Sequence, residues 1–237
     1  STGSHVFRGP HSDSGESVKQ TDDGGYIIAG ETDSYGAGGN DAWLIKTDSS
    51  CNEIWNETFG GPSQDYGRSV QQTRDGGYII AGETSSYGAG SVDAWLIKTD
   101  SDGNELWNET FGGKNADYGR SVLETSDGGY LIAGYTYSFG AGNSDAWLVK
   151  TDSAGNELWN ETFGGSSDDR GVSIQQTSDG GYIISGYTKS YGSGGNDAWL
   201  IKVKPEFDSN SCISGYKINH NTGEGLESWI IHLKDGS

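Results

Sequence analysis

The stretch Asp75-Gly76-Gly77-Tyr78-Ile79-Ile80-Ala81-Gly82 decides how this chain folds, because close copies of it recur along the sequence. The copies begin at Asp23, Asp127 and Asp179, so neighbouring copies are always 52 residues apart. A fixed period of this length indicates a tandem array of one supersecondary unit. The sequence therefore predicts a repeat protein with four units.

Each unit has four segments with strand character, which in the second unit lie at 67–73, 77–84, 93–100 and 105–111. The second and third segments are apolar on both faces, as strands are when they lie between two layers. The fourth alternates less cleanly and ends at Phe111, which is typical of an outer strand that partly faces water. A glycine-containing turn joins the third segment to the fourth. Each unit is therefore predicted to be an antiparallel four-stranded meander.

A tandem meander of about 50 residues is typical of a β-propeller blade. We expect an all-β propeller over residues 1–204, with repeats at about 7–58, 59–110, 111–162 and 163–204. The fourth repeat leaves the pattern at Val203 and lacks an outer strand, which either the start of the chain (5–7) or the tail (228–233) would supply. Alternatively, two chains form one eight-bladed ring, because open propeller ends expose apolar faces.

The double glycine before an apolar strand, followed by an aspartate-bearing strand and a tryptophan, resembles the kelch repeat. From Phe7 to about Lys204 the chain is more similar to the tandem DGGYIIAG-type repeats of archaeal and bacterial secreted or cell-surface proteins. This resemblance implies a propeller fold and an extracellular location, and it implies no single activity.

The tail, residues 205–237, has a resemblance of its own. Ile213-Ser214-Gly215-Tyr216-Lys217-Ile218-Asn219, with 223–226 and Trp229, is similar to the opening of a B-type immunoglobulin-like adhesin domain. The tail is therefore expected to be either a ring-closing strand or the start of a further β domain. The second case would make this chain a piece of a longer surface protein.

The net charge and the hydropathy of the chain limit the classes of partner that we expect. With 34 acidic and 15 basic residues the net charge is −19, which repels a phosphate backbone and argues against nucleic acid. No apolar run approaches the ~20 residues that span a bilayer, so no membrane span is expected in this segment. The lack of methionine suggests a mature or excised segment. The expected partners are other surface-protein modules or glycans, and the expected state is a monomer or homodimer.

Cys51 and Cys212 are the two cysteines. Cys51 stands at a turn position that holds Gly103 and Gly155 in the next units, where glycine is favoured for its left-handed backbone freedom. We hypothesise a Cys51–Cys212 disulfide that ties the tail to the first repeat and contributes roughly 5 kcal/mol in the chain-entropy model. Two unrelated free thiols are the alternative. In a ring of two chains the same bond would join the chains.

Two polar sets recur at fixed positions. The N-glycosylation pattern Asn-Glu-Thr occurs on the outer strands, which predicts glycans at Asn56, Asn108 and Asn160. One aspartate precedes the first strand of every unit, and four such carboxylates around a channel mouth would suit calcium, at Asp13, Asp65, Asp117 and Asp169. The alternative is that these aspartates cap turns, with no cofactor.

Aromatic residues in the long turns between the second and third strands are candidates for a multivalent glycan-binding face: Tyr35, Tyr87, Phe139 and Tyr191. The tryptophans recur at a fixed strand register, which indicates packing between blades rather than sugar stacking.

The copies differ in charge at two registers, which hold Glu16, Arg68, Arg120 and Val172, and Ser14, Tyr66, Tyr118 and Arg170. The sequence has no Ser-His-Asp set, metal-ligand spacing or phosphate loop. It predicts a non-catalytic extracellular structural or interaction module. The alternatives are a multivalent lectin-like propeller and a fragment of a carbohydrate-active enzyme, in which a carboxylate pair would work beside Arg68 and Arg120.

Overall fold

The computed structural model describes residues 4–204 and the backbone of two further strands at 212–218 and 225–232. This part of the chain is all-β, and it contains no helix with the length and hydrophobicity needed to cross a membrane. Each of the first three units forms one antiparallel four-stranded sheet in which neighbouring strands follow chain order. The fourth unit forms a sheet of three strands.

The strands have nearly the same lengths in every unit. The first sheet contains β1 (Asp13–Gln20), β2 (Tyr26–Thr32), β3 (Asp41–Thr47) and β4 (Glu53–Phe59). The second contains β5 (Asp65–Gln72), β6 (Tyr78–Thr84), β7 (Asp93–Thr99) and β8 (Glu105–Phe111). The third contains β9 (Asp117–Glu124), β10 (Tyr130–Thr136), β11 (Asp145–Thr151) and β12 (Glu157–Phe163). The fourth contains β13 (Asp169–Gln176), β14 (Tyr182–Thr188) and β15 (Asp197–Val203).

The repeated Asp-Gly-Gly stretch forms the turn between the first two strands of each sheet. In the second sheet Gly76 has a φ of +85°, a left-handed conformation that suits glycine. Asp75 accepts hydrogen bonds from the hydroxyl of Thr73 at 2.5 Å and the N–H of Gly77 at 3.0 Å. The ammonium of Lys98, which is buried, lies 2.9 Å from the same carboxylate. This network explains why the turn carries the same residues in every copy.

The two middle strands of the second sheet bury both faces, as predicted. Ile79 and Ala81 pack towards the third sheet, whereas Tyr78 and Ile80 pack towards the first. The alternation follows from the two-residue period of a strand. The core therefore consists of three successive junctions between sheets.

Backbone hydrogen bonds link each sheet to the next at one end of the strands. The N–H of Asp65 donates to the carbonyl of Asn40 at 2.7 Å, and Asp117 and Asp169 make the equivalent bonds. These bonds and the pairing of Asp65 with Thr84 start the first strand at 65, two residues earlier than the hydrophobic pattern predicts.

Within residues 4–204 the sheets form an open, curved array. All four first strands line one cavity of about 380 Å³, from Lys19 on β1 to Gln176 on β13. The outward faces of the first and fourth sheets do not cover each other, since Val18 is 60% exposed and Leu200 is 44% exposed. The array in this part of the chain is not a closed ring.

The tail forms an antiparallel pair of strands, β16 (Cys212–Ile218) and β17 (Gly225–His232), and the backbone of β16 lies near β15. In the described backbone β17 pairs with β16 and not with β15, although it contains most of the segment expected to complete the fourth unit. The remaining tail residues, and all tail side chains, lie outside the described part. The domain division at residue 204 stays a prediction.

Candidate functional site

The register that varies in charge lies at a β-bulge in the first strand of each sheet. In the second sheet the pairing skips from Gly67 to Ser69, so Arg68 is the extra residue. Equivalent bulges occur in the other sheets and present Glu16, Arg120 and Val172. Because a bulge re-aims its side chain, Arg68 reaches carboxylates on strands of two neighbouring sheets at once.

Arg68 contacts three carboxylates. Its guanidinium lies 2.9 Å from Glu83 on its own sheet, and 3.3 Å from Glu31 and 3.4 Å from Glu16 on the first sheet. The Glu83 side chain is only 5% exposed, and its Oε2 has no hydrogen-bond partner among the described residues. Arg68 is therefore the main compensation for a buried negative charge and a link between two sheets.

The contacts continue into the third sheet. Arg120 lies 3.5 Å from Glu83 and donates a hydrogen bond of 3.0 Å to the hydroxyl of Tyr135. Tyr135 occupies the register that Glu31 and Glu83 occupy in the first two sheets. We call this row of side chains the arginine ladder. It consists of Glu31, Arg68, Glu83, Arg120 and Tyr135, with Glu16 and Arg170 at its ends.

At the fourth-sheet end of the ladder the arginine contacts tyrosines instead of glutamates. The guanidinium carbon of Arg170 lies 4.3 Å from the ring centre of Tyr135, a cation–π distance. Arg170 also donates to the hydroxyl of Tyr137 at 2.6 Å, while its buried Nε has no partner in the described region. Tyr118 stacks on Tyr135 with ring centres 4.6 Å apart. This end of the ladder is aromatic and positively charged within an acidic chain.

The Glu31 carboxyl has a perturbed pKa. Burial raises its pKa, Arg68 opposes that shift, and the Glu16 and Glu83 carboxylates reinforce it. A raised carboxyl pKa beside a second carboxylate is the pattern of glycosidase acids. The three glutamates converge on one guanidinium, however, which is also the geometry of a structural ion network.

The sequence pattern indicates the arginine half of the ladder but not its glutamate and tyrosine half. The missed residues share one register of the second strand and follow the same 52-residue period: Glu31, Glu83, Tyr135 and Tyr187. Comparing that register between copies would have revealed them.

The aspartates proposed as calcium ligands lie at the ends of the first strands and are surrounded by donors. Asp65 accepts hydrogen bonds from the hydroxyls of Thr84 and Ser86 and from the N–H of Gly61. The same three donors recur around the other members of the set, Asp13, Asp117 and Asp169. In the described residues no three His, Cys, Asp or Glu side chains are grouped as metal ligands. The calcium site stays a prediction.

A second carboxylate comes close to three of these aspartates, Asp65, Asp117 and Asp169. A Cβ at Gly60 would lie 2.0 Å from Asp41 Oδ1 and 2.8 Å from Asp65 Oδ2, and Gly112 and Gly164 lie between equivalent pairs. Burial raises the pKa of Asp41, the Asp65 carboxylate raises it further, and two backbone N–H groups oppose the shift. The residues paired with Asp117 and Asp169, which are Asp93 and Asp145, have pKa values raised by the same causes.

The turn aromatics proposed to bind glycans each rest on a tryptophan. Tyr87 packs 5.8 Å from Trp95, and its hydroxyl donates to the carbonyl of Gly60 at 2.8 Å. The other members of the set pack on Trp43, Trp147 and Trp199 in the same manner. Tyr35, Tyr87 and Phe139 still expose between 41% and 46% of their surface. One side of each ring is structural and the other faces solvent.

The asparagines of the glycosylation pattern have a structural contact. Asn56 accepts a hydrogen bond of 3.0 Å from the indole N–H of Trp43 and donates to Glu53 at 2.7 Å. Asn108 and Asn160 do the same in the next sheets. This bond joins the third and fourth strands, and glycosylation of these residues stays a prediction.

Cys51 has a φ of +65°, so it adopts the left-handed conformation expected from its position in a glycine turn. It is half-buried and free in the described part of the chain. The side chain of Cys212 lies outside the described residues, so the disulfide stays a prediction.

No family model matches this chain. It is similar to the Regulatory protein FlaEY of Caulobacter vibrioides, with 26% identity over 179 residues, which is 62% of this chain and 19% of that protein. The chain thus spans a minor part of the length of this relative. Among solved structures it is similar to Sqt1 from Chaetomium thermophilum, with a TM-score of 0.36, 10% identity, and coverage of 92% of this chain and 72% of that one.

Proposed function

We propose that this chain is a non-catalytic interaction module of a secreted or cell-surface protein, with its sheets arranged as the blades of a β-propeller. The cavity lined by all four first strands supports the propeller arrangement, as does the 52-residue meander. The ring would close either within one chain or between two chains. The extracellular location rests on the resemblance of the repeats.

The arginine ladder carries the non-catalytic proposal. Its charged side chains differ between the repeats, and they bond to one another across sheet junctions, at 3.3 Å for Arg68 and Glu31. An arginine that holds three carboxylates leaves little freedom for the acid and base roles that glycoside hydrolysis requires. The ladder therefore serves best as a cross-link that fixes the curvature of a binding scaffold.

Hydrolysis assays test this proposal. Wild-type protein, Glu31→Gln and the matched control Glu57→Gln, an exposed glutamate on β4, would be incubated with a panel of polysaccharides and aryl glycosides. We expect no turnover by any of them. Turnover that Glu31→Gln abolishes and Glu57→Gln retains would contradict the proposal and support the enzyme alternative.

A glycan-binding face is the second candidate, and the solvent-facing sides of Tyr35, Tyr87 and Phe139 favour it. A glycan array would compare the wild type with Tyr87→Ala and Phe139→Ala, with Tyr87→Phe as a control that keeps the ring. Binding that falls with the alanine variants and persists with the phenylalanine variant supports this function. An array without wild-type binding would contradict it.

A further inference from the structure

Each internal junction buries the same two kinds of sheet face. One face contributes small and aliphatic side chains from the second and third strands and a phenylalanine from the fourth. The other face contributes a valine or isoleucine, a tyrosine, an isoleucine and a tryptophan. At the junction of the second and third sheets these residues are Ile79, Ala81, Ala94, Leu96 and Phe111 on one side and Val122, Tyr130, Ile132 and Trp147 on the other.

Each outermost sheet leaves part of a face of one kind exposed, although Trp43 and Ile45 on the outer face of the first sheet are buried. Leu200 on the fourth sheet is 44% exposed, whereas its counterpart Leu96 is fully buried. Val18 on the first sheet is 60% exposed, whereas its counterpart Val70 is fully buried. The two partly exposed faces thus match, by register, the two halves of an interface that the chain already uses three times, except that the three-stranded fourth sheet has no fourth strand to supply the phenylalanine.

The two outer faces also carry the hydrogen-bonding groups that pair at the internal junctions. At each internal junction a serine hydroxyl accepts a hydrogen bond from the backbone N–H of the next sheet, as in Val122 N–H to Ser69 at 3.2 Å. The next members of this series are Ser173 on the fourth sheet and the N–H of Val18 on the first. The open faces therefore match in hydrogen bonding as well as in apolar surface.

One substitution on the first sheet lies at the position of a junction contact. At the first two internal junctions a tryptophan lies against a turn glycine, so that a Cβ at Gly103 would be 2.8 Å from the Trp55 ring. The first sheet has Cys51 in place of that glycine, beside a cavity of about 290 Å³ that Phe7 and Tyr26 also line.

We propose that the fourth sheet of one copy of this chain packs on the first sheet of a second copy, and that two such junctions close a ring of eight sheets. The contact is heterologous, since different faces meet, and it closes only if the curvature brings both junctions together. A second copy is the occupant because one chain carries both halves of the interface and keeps them apart. This inference rests on the propeller arrangement proposed above and is independent of whether the module is catalytic.

Solution mass tests the ring. Light scattering after size exclusion, with reductant present so that an interchain disulfide plays no part, should give twice the chain mass of 25.2 kDa. Leu200→Glu and Val18→Glu should each weaken the dimer at least about tenfold, since each places an unpaired charge in both junctions. Both positions are exposed in the single chain, so the variants should still fold. Leu106→Glu, at an exposed position on the outer strand β8, is the matched control and should remain dimeric.

Mixing the two variants separates this contact from a symmetric one. A Leu200→Glu chain keeps an intact first sheet and a Val18→Glu chain keeps an intact fourth sheet, so together they should form a dimer through one intact junction. A monomeric wild type, a mass that rises beyond two chains with concentration, or a Leu106→Glu variant that dissociates equally would each overturn the proposal. None of these outcomes bears on the hydrolysis assay.

Discussion

Replacement of Arg68 by leucine should destabilise the protein by about 3 kcal/mol at pH 7. The substitution removes both short contacts to Glu83, from Nε at 3.0 Å and NH2 at 2.9 Å. Breaking a buried ion pair costs about 3–5 kcal/mol because the remaining charge is uncompensated. The low end applies here, since Arg120 still lies 3.5 Å from Glu83. Most of this loss of stability comes from leaving the Glu83 carboxylate buried without a close positive charge, and less comes from the net strength of the Arg68–Glu83 ion pair.

Equilibrium unfolding in urea, followed by tryptophan fluorescence, measures this loss, and a double-mutant cycle assigns it. The double variant Arg68→Leu/Glu83→Leu should be more stable than Arg68→Leu alone, with a coupling energy of about 2 kcal/mol. Arg74→Leu, at an exposed position, should change stability by less than about 0.5 kcal/mol. A loss below about 1 kcal/mol for Arg68→Leu, or additive single and double variants, would refute a structural ladder.

Three further predictions concern the core and its titrating groups. Leu96→Ala, at a fully buried position, should cost about 2–5 kcal/mol in urea unfolding, whereas exposed Leu106→Ala should cost less than about 0.5 kcal/mol. Burial raises the pKa of Tyr78 and of Tyr130 to about 12. When tyrosine ionisation is followed by ultraviolet absorbance, the titration should therefore show a late phase, and Tyr78→Phe should reduce its amplitude. A single phase near pH 10 would contradict this. The pKa of Asp127 is lowered to about 2, where burial is outweighed by bonds from Thr125, Gly129 and Lys150. The stabilisation of the fold by this carboxylate is present above pH ~4 and is lost as the pH falls towards 2. Asp127→Asn should therefore make the free energy of unfolding depend less on pH in this range. An unchanged dependence on pH would contradict this.

The sequence by itself determined the strands and their order. A 52-residue period, Asp-Gly-Gly turns and two-sided apolar strands are local patterns, and a hairpin between neighbouring segments follows from them without knowledge of distant contacts. The boundaries of β6, β7 and β8 therefore lie within a residue of those predicted. The exception is β5, which begins two residues early because Asp65 bonds to the first sheet.

Only the tertiary structure decided which contacts the side chains that differ between repeats make, and which sheet faces are left exposed at the ends of the array. Glu31 and Arg68 are far apart in sequence and lie on different sheets, and a bulge that no local pattern announces brings them within 3.3 Å. The exposure of Leu200 also depends on the presence of a neighbouring sheet, while its local sequence matches that of buried Leu96. Nearly identical strands thus acquire different surroundings from their position in the array, because burial and charge pairing are properties of the assembled sheets.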